Sequence, residues 1–226
     1  MTSSSTTYAT GYHELLDMTD TDDDKNNPIN RAIKLINKAH GYAGIFNHGT
    51  SEVEKSFIEL YVVREWIKSI GAVYGLHVGE PEQNSNDPPD CYITFAEQRL
   101  GVELVQLIDS NHKKRASQTE TPFHGQLFSD MQWSKARFIS KLNDLIRSKG
   151  DNYHRREISI DVLLIHTAEP WLTSEQANEW LADCKIGEHP NIACVFLLFE
   201  YDPTTRLQHW PMFSLYGDIL RNPSDF

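Results

Sequence analysis

From residue 51 onward the apolar positions follow two different rhythms. In SEVEKSFIELYVVREWIKSIG (51–71), Phe57, Ile58, Leu60, Tyr61, Val62, Val63, Trp66, Ile67 and Ile70 cover most of a helical circumference. That spacing predicts a helix buried on more than one side. Ser51 with Glu54 three residues later reads as a capping box, and Gly71 as a stop. AVYGLHV (72–78) predicts a short strand. Two more follow, Cys91 to Phe95 and Val102 to Ile108, turning at AEQRLG. SKARFISKLNDLIRSK (134–149) predicts a helix with Ile139, Leu142 and Ile146 on its apolar face, stopped at Gly150. EISIDVLLIHT (157–167) and NIACVFLLFEY (191–201) are almost continuously apolar in their centres, as strands covered on both faces are. A capped helix, TSEQANEWLADCK (173–185), lies between them, and HWPMFSLYG (209–217) reads as an edge strand that tolerates its proline. Ahead of all these, PINRAIKLINKAH (28–40) is a short amphipathic helix. The order predicts an α/β fold, a mixed central sheet flanked by helices on both faces.

Composition bounds the class. With 39% hydrophobic and 23% charged residues in 226, the chain has the balance of a globular protein with one substantial core. No apolar run approaches the roughly 18 residues that span a bilayer, and residues 1–26 lack the basic and apolar regions of a signal peptide. No membrane association and a cytoplasmic location are the expectations. Residues 1–26, rich in Ser, Thr and Asp, read as a disordered acidic arm, and 27–226 as one domain. Cys91, Cys184 and Cys194 are too few and too scattered for a disulfide framework or a zinc knuckle.

A net charge of −11 argues against nucleic acid until its distribution is considered. The arm carries six acids against Lys25, whereas residues 110–156 carry ten basic side chains against four acids, a net of +6. Within that band, Lys113, Lys114 and Arg115 stand in a long loop directly after the second hairpin strand. They are suited to neutralising phosphates without reading sequence. The plain alternative is a solvated basic face.

The hairpin itself holds the chemistry. Asp90 follows two prolines, and Glu103 interrupts an apolar run from Gly101 to Ile108. Around a tight turn the two carboxylates can converge. Two acids side by side repel unless a cation joins them, and Mg2+ or Mn2+ is the usual partner. Against this stand two structural roles: Asp90 capping its turn, and Glu103 pairing with a neighbouring arginine.

A helix bearing an acid, then a strand, then PD, then a strand carrying GVELV resembles the PD-(D/E)xK nuclease superfamily from about residue 51 to 215. The resemblance implies a restriction-endonuclease-like core and a metal-dependent nuclease hydrolysing phosphodiester bonds, in restriction, repair or phage defence. Asp90 and Glu103 would hold the metal, and Glu54, with Glu59 in reserve, would be the helix acid. Nucleic acid, DNA in the first place, would be the partner. The family's lysine two residues after the glutamate is absent, because Val105 stands there. Some branches draw a lysine from the following helix instead, and here Lys149, with Lys135 second, falls on that helix's sheet-facing side. A catalytically inactive relative is the alternative: a nucleic-acid-binding or protein-interaction module meeting a partner through its acidic surface. A homodimer is compatible with either.

Overall fold

The computed structural model describes residues 52–86, 88–110, 132–169, 171–200 and 207–217. Their elements in chain order are α1 (Glu52–Tyr74), β1 (Glu82–Gln83), β2 (Cys91–Phe95), β3 (Gln98–Gln106), α2 (Lys135–His154), β4 (Ile160–Thr167), α3 (Ser174–Leu181), β5 (Ile192–Phe199) and β6 (Met212–Tyr216). The strands form one mixed, open six-stranded sheet whose spatial order follows the chain, β1 to β6. β1, β2 and β3 run antiparallel, β3, β4 and β5 parallel, and β6 closes the far side antiparallel to β5. The expected α/β class with a mixed sheet is the fold observed. The acidic arm, the 28–40 helix and the basic loop with Lys113, Lys114 and Arg115 lie outside the described residues.

The core divides into two apolar clusters according to the two-residue period of the strands. Even-numbered Val102, Leu104, Val162, Leu164, Cys194 and Phe196 pack with Ile58, Val62, Trp66 and Ile70 of α1. Odd-numbered Leu107, Leu163, Ile165, Val195 and Leu197 pack with Phe138, Leu142 and Ile146 of α2 and with Ala177 of α3. Both sides of β4 and β5 are thus occupied, which is why these strands read as continuous apolar runs.

Three boundaries differ from expectation. The predicted strand at 72–78 does not form. α1 runs through Gly71 to Tyr74 and is closed by Gly75, at φ +67, whose N–H donates to the Gly71 carbonyl at 3.0 Å. A left-handed residue ends a helix more decisively than a glycine merely placed within one. Likewise α2 passes through Gly150 to His154, because the missing Cβ there admits the His189 ring: an added Cβ would lie 2.3 Å from it. The hairpin turn is tighter than predicted. Ala96 and Glu97, at φ 47 and 66, connect β2 to β3 directly and lengthen β3 to nine residues. Among the described residues no helix is long and apolar enough to cross a membrane.

Candidate functional site: a carboxylate and lysine pocket at an open strand edge

β3 is longer than its neighbour, and the site occupies the difference. β2 pairs with β3 only as far as Cys91 opposite Val102, whereas β4 pairs with β3 from Val102 to Gln106. The residues before Cys91 are Pro88, Pro89 and Asp90, and a proline has no N–H to continue the ladder. Beyond Val102 the outer edge of β3 therefore opens into a cavity of about 360 Å³, lined chiefly by α1, β3 and the last turns of α2.

Asp90 takes the place of the missing strand. Its Oδ2 accepts the Leu104 N–H at 2.7 Å, satisfying the first free backbone donor of the open edge. Its Oδ1 stands 4.0 Å from Lys55 Nζ. Burial raises the Asp90 carboxyl to about 6, with a further push from the Glu103 charge and opposition from the Leu104 hydrogen bond, Lys149 and Lys55. Glu103 projects from β3 with its side chain only 3% exposed, and Lys149 Nζ donates to its Oε1 at 2.5 Å. The other oxygen, Oε2, is buried without a hydrogen-bond partner. Phe138, Leu142, Ile146, Gly150 and Tyr153 form the buried stripe of α2, and Lys149 flanks it one residue before Gly150.

The helix acid in the pocket is Glu59. It pairs with Lys55 one turn back at 3.4 Å, and burial, then the Asp90 charge, raise its carboxyl to about 7. Glu54, the acid expected for this role, falls in the first turn of α1. A signal for Glu59 was present in the sequence: Val62 and Val63, three and four residues on, are 1% and 0% exposed, so an acid at 59 belongs to a buried face. Lys135 pairs at the surface with Asp183 at 2.6 Å and does not line the cavity. Val105 lines it and offers no charge.

Besides Leu104, two polar residues of the lining come from the even-numbered side of the sheet. Gln106, the last residue of β3, is in register with His166 of β4. Nδ1 of His166 hydrogen-bonds Glu200 Oε1 at 2.7 Å, and burial drives the Glu200 carboxyl upward against the pull of that histidine. Gln106 Oε1 is buried with no hydrogen-bond partner. The alternation of β3 sends Gln106 away from Glu103, yet both reach the cavity because it wraps around the strand's open edge.

No protein-family model matches the chain, and no curated protein matches it in sequence. Among solved structures it is similar to a protein of unknown function from Pseudomonas aeruginosa strain PAO1, described as belonging to the monooxygenase superfamily. That likeness has 15% identity and a TM-score of 0.42, over 87% of this chain and 91% of that one. It transfers no activity. The description is not that of a nuclease, and the expectation of a metal-dependent nuclease, with its inactive-nuclease alternative, is corrected on that finding. In the pocket each acid is already engaged, Glu59 and Asp90 with Lys55 and Glu103 with Lys149. Among the described residues no group of three or more His, Cys, Asp or Glu is arranged to hold a metal ion.

Proposed function

We propose that this pocket binds a small phosphate-bearing ligand together with one divalent cation, Mg2+ or Mn2+. The observation that carries the reading is the gathering of Glu59, Asp90 and Glu103 in one open cavity that also contains Lys55, Lys149 and Arg156. Carboxylates drawn together in partial burial require nearby positive charge. The lysines supply part of it, yet Glu103 Oε2 stays buried and unpaired, an acceptor that a cation or its water would satisfy. Asp90 and Glu103 would hold the ion with Glu59 beside them, since Mg2+ is commonly bound through one or two carboxylates with water and phosphate completing its shell. Bound there, the ion would offset phosphate charge and acidify a coordinated water.

The chain's own residues account for the rest of the binding. Lys149, whose side chain is 27% exposed, reaches both Glu103 and the cavity, so its ammonium can meet a phosphate oxygen without leaving the carboxylate unbalanced. Arg156, two residues past the end of α2, contributes a planar fork, a geometry matched to two phosphate oxygens. The Leu104 N–H fixes the rotamer of Asp90 whether or not the pocket is filled.

Calorimetric titration of Mn2+ into the wild-type chain and into Glu103→Gln, with propyl phosphate present and absent, tests the reading. Saturable Mn2+ binding that strengthens with propyl phosphate and vanishes in Glu103→Gln is the expected result. A folded wild-type chain that takes up neither Mn2+ nor the ester overturns it.

A further inference from the structure

Gln106 is the polar group of the pocket that cation binding does not explain. It is uncharged, it lines the cavity, and its Oε1 is buried without a partner. A buried acceptor left unpaired is destabilising, and such groups persist where a ligand completes them. The backbone around it is placed in the same sense. Leu107 donates to the His166 carbonyl at 2.8 Å, toward β4, so the alternation of the strand turns the Gln106 N–H the other way, onto the open edge. His166, paired with Gln106 in register and tied to Glu200 at 2.7 Å, walls the inner side.

We infer that Gln106 is a specificity-determining residue, its carboxamide oxygen accepting a hydrogen bond from a hydroxyl of the ligand, so that the pocket selects hydroxylated phosphate esters. The inference rests on the pocket being a phosphate site. The donor is a hydroxyl and not an ammonium because, with the divalent ion bound, Glu59, Asp90 and Glu103 are already more than balanced by it and by Lys55, Lys149 and Arg156. A cavity of about 360 Å³ accommodates a phosphate and a short polyol body together, which places the hydroxyl at Gln106 while the phosphate lies among the cations.

The experiment compares glycerol 3-phosphate with propyl phosphate, equal in carbon count and differing in hydroxyl groups, in the Mn2+-loaded wild type, Gln106→Leu and Gln106→Asn. The wild type is expected to prefer glycerol 3-phosphate about tenfold, the penalty for leaving one buried acceptor unpaired. Gln106→Leu is expected to lose that preference while binding propyl phosphate at least as well as the wild type, which also shows that the variant is folded. Gln106→Asn, with its carboxamide withdrawn by one methylene, is expected to fall between them. Equal binding of the two esters by the wild type, or an undiminished preference in Gln106→Leu, overturns the role of Gln106 and leaves the phosphate site standing. Binding of neither ester overturns both.

Discussion

Replacing Glu59 by glutamine isolates what the pocket costs the fold. The carboxyl is raised from 4.5 to about 7 by burial and by Asp90. Below pH 4.5 it is protonated in the folded and the unfolded chain alike. Between pH 4.5 and about 7 the folded chain keeps a proton that the unfolded chain has released, so stability falls as pH rises, and above pH 7 the whole cost is present. At about 1.4 kcal/mol per pH unit the interval amounts to about 3 kcal/mol. The carboxyl borders the open cavity, and solvent reaching it there, together with the pairing to Lys55 at 3.4 Å, reduces this to about 1–2 kcal/mol. Glutamine keeps the shape and a hydrogen bond to its surroundings without the charge. Urea unfolding should find Glu59→Gln more stable than wild type by about 1–2 kcal/mol at pH 8 and within a few tenths of a kcal/mol at pH 4.5. A gain of the same size at both pH values, or a loss at pH 8, would refute the electrostatic account of the pocket.

Two further outcomes follow from the same geometry. Lys149→Met leaves the Glu103 carboxylate, 3% exposed, without its counter-ion, and should cost about 2–4 kcal/mol in urea unfolding. The double variant Glu103→Gln with Lys149→Met should recover at least half of that, whereas simple additivity of the two changes would show that the pair is not coupled. Gly150→Ala, which at an exposed helix position would stabilise by roughly 1 kcal/mol, should instead lower the thermal midpoint, since its Cβ meets the His189 ring at 2.3 Å. An unchanged or raised midpoint would mean that His189 moves aside freely.

Apolar rhythm made the sheet legible where strands are long and buried. EISIDVLLIHT and NIACVFLLFEY became β4 and β5 with small changes at their ends. Failures came where a local signal competes with a contact distant in sequence. Gly71 and Gly150 both suggest helix ends, yet α1 is closed by the left-handed Gly75, and α2 needs Gly150 for the approach of a histidine 39 residues away. In the pocket, the placement of Asp90, Glu103 and Lys149 could be read from the proline break, the acid within an apolar strand, and the helix phase. Glu59 was held in reserve behind Glu54 because the family resemblance favours an acid near the helix start, while the burial of the Glu59 face is apparent only through Val62 and Val63. Strand alternation places Gln106 on the face opposite Glu103, and it is obeyed. What the alternation could not convey is that β2 stops short and lets one cavity reach both faces of β3.

The sheet lays down its strands in the order in which the chain is made. Every residue lining the pocket falls between Lys55 and His166, while β5 and β6 add to the side of β4 away from it. During vectorial synthesis, α1, the hairpin, α2 and β4 thus emerge as a contiguous stretch that already contains the whole cavity wall, and strand pairing can proceed by adding each new strand to its immediate predecessor. The later strands bring the backing: Glu200 arrives behind His166, and the Trp210 carbonyl accepts from Ser69 of α1 at 2.8 Å. A segment translated after the whole cavity wall therefore fastens the helix that carries Lys55 and Glu59, so the pocket is built early and made rigid late.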